Sequence, residues 1–173
     1  MSYKSLHYEL LMKKEKFEVR KYPSFKLVQF ESYGDSDSTT AFQALFNYIQ
    51  GQNDDGKKIA MTTPVFQEKD SAAFRMSFVI PRSIEKPPQP KDPQLTLVQK
   101  NGGVYIVHRY RGAQSFENLE KYKKVLENIL LERKYVSKGI ILGAFYNSPF
   151  TFPFLKHNEV LTEIEGESFQ PVY

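Results

Sequence analysis

The amino-acid sequence predicts an α+β fold built from duplicated β-α-β-β units, with a curved, mostly antiparallel sheet packed against two helices. Three observations carry this expectation. Two stretches repeat apolar residues at helical spacing, and each is flanked by stretches that alternate apolar and polar residues. The order strand, helix, strand, strand recurs at an offset of roughly 78 residues, although identity between the copies is slight. A proline-rich connector, 82–93, separates copies spanning 8–81 and 94–165. With 173 residues, 40% hydrophobic and 14% aromatic, the chain suits one domain, 1–173, around a substantial core.

A leading strand pair is expected at Tyr8–Met12 and Phe17–Tyr22. Lys26–Tyr33 follows as a strand with Val28 and Phe30 on one face and Gln29 and Glu31 on the other. Ser36 or Asp37 then caps a helix to about Gln50, whose Phe42, Leu45, Phe46 and Ile49 recur at helical spacing. The strands Lys58–Phe66 and Phe74–Ile80 close the first copy, with a break or bulge at Pro64, which has no ladder donor. Beyond the connector, Gln94–Gln99 and Val104–Arg111 read as a hairpin around Asn101-Gly102-Gly103. A second helix runs from about Ser115 to Arg133 on an apolar stripe of Phe116, Leu119, Tyr122, Leu126, Ile129 and Leu130. Ile140–Tyr146 and Glu159–Ile164 complete the second copy.

Composition narrows the chemistry. The absence of cysteine removes disulfides, thiolate metal sites, iron–sulfur clusters and cysteine nucleophiles together. The formal charge of +4 is modest, and lysines are dispersed among acids, as in Lys13-Lys14-Glu15-Lys16, which predicts no nucleic-acid partner. No apolar run approaches a transmembrane segment and the start lacks the pattern of a signal peptide, so the expected location is cytoplasmic. His7, His108 and His157 lie in distant segments without metal-ligand spacing, and no phosphate loop or nucleophile elbow occurs. His108 reads as a hydrogen-bonded core or rim residue, and His7 as surface.

Two segments stand out. Lys57-Lys58-Ile59-Ala60-Met61-Thr62-Thr63-Pro64-Val65 follows a polar turn; Met61 shares a face with Ile59 and Val65 and reads as packing, and Thr62 or Thr63 as hydrogen-bonding near the Pro64 break. Ser148–His157 places Phe150, Phe152 and Phe154 in a loop with two prolines, where a connector is ordinarily polar. Those rings either fold back on the core or form an aromatic wall with Lys156 and His157 at its polar mouth, suited to a flat, apolar, anionic ligand.

The string Lys-Ile-Ala-Met-Thr-Thr-Pro-Val, preceded by Tyr48-Ile49-Gln50-Gly51 and followed by Phe78-Val79-Ile80-Pro81, Tyr146-Asn147-Ser148-Pro149 and Asn158-Glu159-Val160, resembles the SOUL/heme-binding protein family over roughly residues 8 to 165. The resemblance implies a distorted eight-stranded barrel flanked by two helices. It also implies noncovalent binding of heme or another tetrapyrrole in an apolar groove, as carrier or buffer, with no catalytic residue. Mapped onto this sequence, the groove uses Thr39, Phe42, Gln43, Phe46 and Asn47 from the first helix and Phe150, Phe152 and Phe154 from the late loop. Family members commonly have basic side chains on the first helix, but Asp37–Gln50 contains no Lys, Arg or His. Propionates then fall to Lys57, Lys58, Lys156 or Arg109, and the iron either lacks a protein ligand or takes His157.

Two other functions fit the same residues. One is an enzyme acting on a small hydrophobic molecule or a tetrapyrrole, since duplicated domains of similar layout in effector-binding transcription regulators bind small molecules and some relatives resemble hydrolases; Tyr146, His157 and Glu159 are then the acid–base candidates. The other is a protein-interaction module docking through an exposed Phe150, Phe152 and Phe154 patch. The sequence names no protein partner.

Overall fold

The computed structural model describes residues 4–34, 37–147 and 151–169. In chain order the elements are β1 (Lys4–Ser5), β2 (Glu9–Lys13), β3 (Glu18–Tyr22), β4 (Phe25–Ser32), α1 (Ser38–Ile49), β5 (Thr62–Thr63), β6 (Val65–Lys69), β7 (Phe74–Val79), β8 (Leu95–Lys100), β9 (Gly103–Tyr110), α2 (Phe116–Arg133), β10 (Leu142–Phe145) and β11 (Asn158–Ile164). The chain forms two compact units, one of residues 1–6 and 24–101, the other of residues 7–23 and 102–173. The fold is α+β, and apart from the β1–β5 pair the ladders within each unit are antiparallel.

In the first unit the strand order is β6-β7-β4-β8. Val28, Phe30, Leu45, Tyr48, Ile59, Phe74, Met76, Phe78, Ile80 and Leu95 form its apolar core, and none of its described Asp, Glu, Lys or Arg residues is buried. Helix α1 contributes Ala41, Leu45, Tyr48 and Ile49, the stripe that its periodicity demands. Asp37 is the N-cap, its carboxylate accepting from Thr40 N at 2.7 Å. The buried Tyr48 hydroxyl donates to Pro88 O at 2.6 Å and ties the proline-rich connector to the helix.

In the second unit the order is β10-β11-β9-β3-β2. Leu119, Leu126, Ile129 and Leu130 of α2 pack on Phe17, Val19, Ile106, Tyr110, Val160 and Ile164. Ser115 caps this helix through Asn118 N at 3.2 Å. Helix boundaries and the β2–β3 pair agree with the sequence reading.

Four expectations change. The hairpin around Asn101-Gly102-Gly103 does not form: β8 pairs with β4, Gly103 is already strand opposite Tyr22, and both edges of β9 are taken by β3 and β11. The chain passes from one unit to the other after Leu6, after Pro23 and after Asn101, and the connector 82–93 lies inside the first unit. The eight strands expected are close to the nine found among the described residues, four in the first unit and five in the second, plus the short β1–β5 ladder. The strand foreseen at Lys58–Phe66 is split. Thr62 and Thr63 pair in parallel with β1, the Thr63–Pro64 peptide is cis, and pairing with β7 begins only at Val65. Both threonine hydroxyls are engaged there, Thr62 with Val79 O and Thr63 with Ser5 Oγ at 2.7 Å. Ile140–Tyr146 shortens to β10.

Candidate functional site

Helix α1 turns Thr39, Gln43, Phe46 and Asn47 to its outer side, as their spacing of about one helical turn requires. Phe46 is 40% exposed and lies parallel to Phe42, with centroids 6.2 Å apart and planes 13° apart. Phe42 is half-buried, packs on the first core and meets Phe78 edge-on at 5.3 Å. Phe42 thus supports, and Phe46 presents. Gln43 Nε2 donates to Asn47 Oδ1 at 2.8 Å, so the polar residues beside the ring are paired with each other. No charge occurs from Ser38 to Ile49. Lys57 and Lys58, past the turn that Asn53 braces with bonds to Tyr48 O and Lys57 O, are exposed in the same unit.

The late loop belongs to the second unit. Phe152 and Phe154 are exposed and stacked, with centroids 5.8 Å apart and planes 17° apart, so they do not fold back on the core. Phe150 lies outside the described residues. Lys156, expected at a polar mouth, is buried at 7% exposure. The His157 ring is half-buried and stacks on Tyr146, with centroids 4.5 Å apart and planes 8° apart.

His157 Nε2 donates to Glu159 Oε2 at 2.9 Å, since an ionised carboxylate only accepts. Arg20 grips both oxygens of the fully buried Glu159, at 2.8 and 2.7 Å, and also bonds Glu18 and the Tyr22 hydroxyl. Tyr8 covers its guanidinium at 4.1 Å, and Arg109 Nε stands 3.8 Å from Glu159. Burial alone would raise the Glu159 pKa, yet the bonds from His157 and Arg20 hold it down at about 2. Burial pushes Tyr146 well above its usual value and Tyr22 up to about 12.

Tyr146, His157 and Glu159, separated in sequence, are therefore gathered in one cluster. Arg20 was missed by the sequence reading. It sits on β3 between Val19 and Lys21 like any strand charge, and only the β3-β9-β11 order brings it to Glu159. His108 bonds Lys16 O through Nδ1 at 2.6 Å and stacks on Tyr122, the rim role expected. Met61 packs against the first core. Among the described residues, no group of three or more His, Asp or Glu side chains is placed to hold a metal ion.

A family model described as SOUL heme-binding protein matches residues 3–163. Heme-binding protein 2 of Mus musculus is 31% identical over 146 residues, covering 78% of this chain and 71% of that protein. Heme-binding protein 2 of Homo sapiens is 31% identical over 145 residues, with 77% and 71% covered. Among solved structures, a hydrolase from Listeria innocua superposes with a TM-score of 0.60 at 13% identity, covering 89% of this chain and 94% of that one. That likeness concerns the fold alone.

Proposed function

The chain belongs to the SOUL heme-binding protein family, and from that premise we propose that it binds heme or a related tetrapyrrole without a covalent bond, as a carrier or buffer. The observation that carries this reading is the outer face of α1. A solvated helix face is ordinarily charged, and this one is uncharged and presents the Phe46 ring on a Phe42 support. An apolar macrocycle face suits that surface. Burying a few hundred Å² at ~25 cal/mol per Å² contributes several kcal/mol before ordering costs, enough for micromolar binding without an iron ligand.

Thr39, Gln43 and Asn47 border the ring, and Lys57 and Lys58 are the cations that the first unit offers to propionates. Phe152 and Phe154 form the second proposed contact surface, and Phe150 adjoins them in sequence. His157 is the proposed iron ligand, and ligation through Nε2 competes with its bond to Glu159. When bound, the tetrapyrrole would supply its own redox and optical chemistry, and the chain's part is apolar enclosure and propionate pairing.

The test is a titration of purified protein with hemin and, in parallel, with metal-free protoporphyrin. Saturation near one equivalent is expected with both; tighter binding of hemin supports ligation by His157, and equal affinity removes His157 as a ligand. Phe46→Ser should weaken binding about tenfold with an unchanged circular dichroism spectrum. Equal affinity of wild type and Phe46→Ser removes α1 from the site.

One observation favours a second reading, an acid–base enzyme: a half-buried histidine oriented by a buried carboxylate, the arrangement of a general base and its orienting group. Glu159 itself, held near 2, is too weak a base for that part. Turnover of an ester or porphyrin that disappears in His157→Gln would support this reading.

A further inference from the structure

We propose that the turn Phe152–Leu155 is a peripheral membrane anchor that inserts into the surface of an anionic bilayer. Three large apolar side chains stand out from four consecutive residues, with Phe152 at 67%, Phe154 at 66% and Leu155 at 53% exposure. Scattered exposed apolar residues are normal, but such density on one turn marks a contact with something apolar.

The backbone of the turn is prepared for such a medium, where unpaired peptide groups are costly. Phe152 O accepts from Leu155 N at 2.9 Å, and Pro153 O from Lys156 N at 3.1 Å and from Gly112 N at 3.0 Å. Phe154 O accepts from the Arg111 guanidinium at 3.3 Å, and Pro153 has no N–H to satisfy. The carbonyls of Phe152, Pro153 and Phe154 are therefore closed within the protein before the turn meets anything.

Charge and size select the occupant. Arg111, fastened to the turn, is a cation at the base of the apolar tip, and Arg109, two residues earlier in β9, is 55% exposed. Guanidinium groups pair with phosphate oxygens, so the tip and its base match the acyl boundary and the headgroups of an anionic leaflet. A stable protein interface buries about 800 Å² per partner, far beyond three side chains, whereas interfacial anchoring needs only a few apolar groups and a basic neighbour. No described helix is long and apolar enough to cross a membrane, so the turn would hold the protein at the surface.

The proposal does not rest on tetrapyrrole binding and is tested on hemin-free protein. The chain has no tryptophan, so Phe154→Trp gives a single reporter at the tip. With vesicles of phosphatidylcholine and phosphatidylserine its emission should shift to the blue and be quenched by lipids brominated in the acyl chain. Pure phosphatidylcholine should give little of either. Cosedimentation of otherwise wild-type protein should fall at least tenfold in a Phe152→Ser/Phe154→Ser/Leu155→Ser variant with native circular dichroism. Arg111→Gln should lessen both binding and its salt dependence. An unshifted reporter, a triple variant that still cosediments like wild type, or a blue shift without vesicles, which would mean self-association through the tip, would each overturn the anchor.

Discussion

Helices α1 and α2 hold equivalent places in two units of the same strand order, yet their chemistry is opposite. Helix α1 has no Asp, Glu, Lys, Arg or His along its twelve residues, while α2 carries four acids and four bases along its eighteen. The cores differ in the reverse sense. The first unit buries apolar side chains beneath its uncharged helix, whereas the second encloses Arg20 and Glu159 at 1% and 0% exposure. The same frame holds either arrangement, an uncharged helix in the first unit and a buried ion pair in the second. Helix α2 is solvated by its charges, and the outer face of α1 has none.

The sharpest way to break this contrast is to unlock the charged core. Arg20→Met leaves Glu159 without its bidentate partner and should cost ~3–5 kcal/mol, read as a lower urea midpoint. Arg20→Met/Glu159→Leu should recover most of that loss, because an apolar pair of similar volume no longer strands a charge. If the single variant is as stable as the double, the buried pair is not what distinguishes the second unit.

A somewhat smaller effect should appear in acid. The Glu159 pKa falls from an ordinary 4.5 to about 2 on folding, so its stabilisation is fully present above 4.5. It is lost as pH drops through 2, and it amounts to about 3 kcal/mol. Wild-type stability measured from pH 6 to pH 2 should decline across that window. Glu159→Gln, less stable at pH 6, should decline less steeply. Parallel declines would assign the acid limb to other carboxylates.

Much of this contrast was legible in the sequence, and the illegible part has a physical pattern. Both helices, their caps and their buried stripes follow from local periodicity and side-chain bonding, which neighbouring residues determine. The uncharged character of α1 is likewise a property of one segment. Strand pairing is not. Tyr22-Pro23-Ser24-Phe25 and Lys100-Asn101-Gly102-Gly103 are both short junctions between strands, and the second has the residues of a tight hairpin. In each case the flanking strands pair elsewhere, β3 with β9 and β4 with β8, so strands distant in sequence occupy those edges. The same non-local order makes the Arg20–Glu159 pair invisible in the sequence, while Tyr146, His157 and Glu159 could be named but not assembled. Lys156 misled because a lysine in a loop is ordinarily solvated.

The finest contrast lies in the caps. Asp37 and Ser115 do the same work at the starts of α1 and α2, each accepting from the backbone N–H three residues on. Only one of them titrates. The Asp37 carboxyl is held below its ordinary 3.8 by bonds from Thr40, so this cap stabilises the protein above that value and weakens as pH falls through the lowered folded value. Ser115→Ala should therefore cost ~1 kcal/mol at pH 7 and the same at pH 3. Asp37→Ala should cost measurable stability at pH 7 and converge towards wild type as the medium is acidified below 3.8. Urea denaturation of both variants at the two pH values separates these outcomes. An Asp37→Ala deficit independent of pH would mean that the charge adds nothing at the uncharged helix beyond what a hydroxyl gives at the charged one.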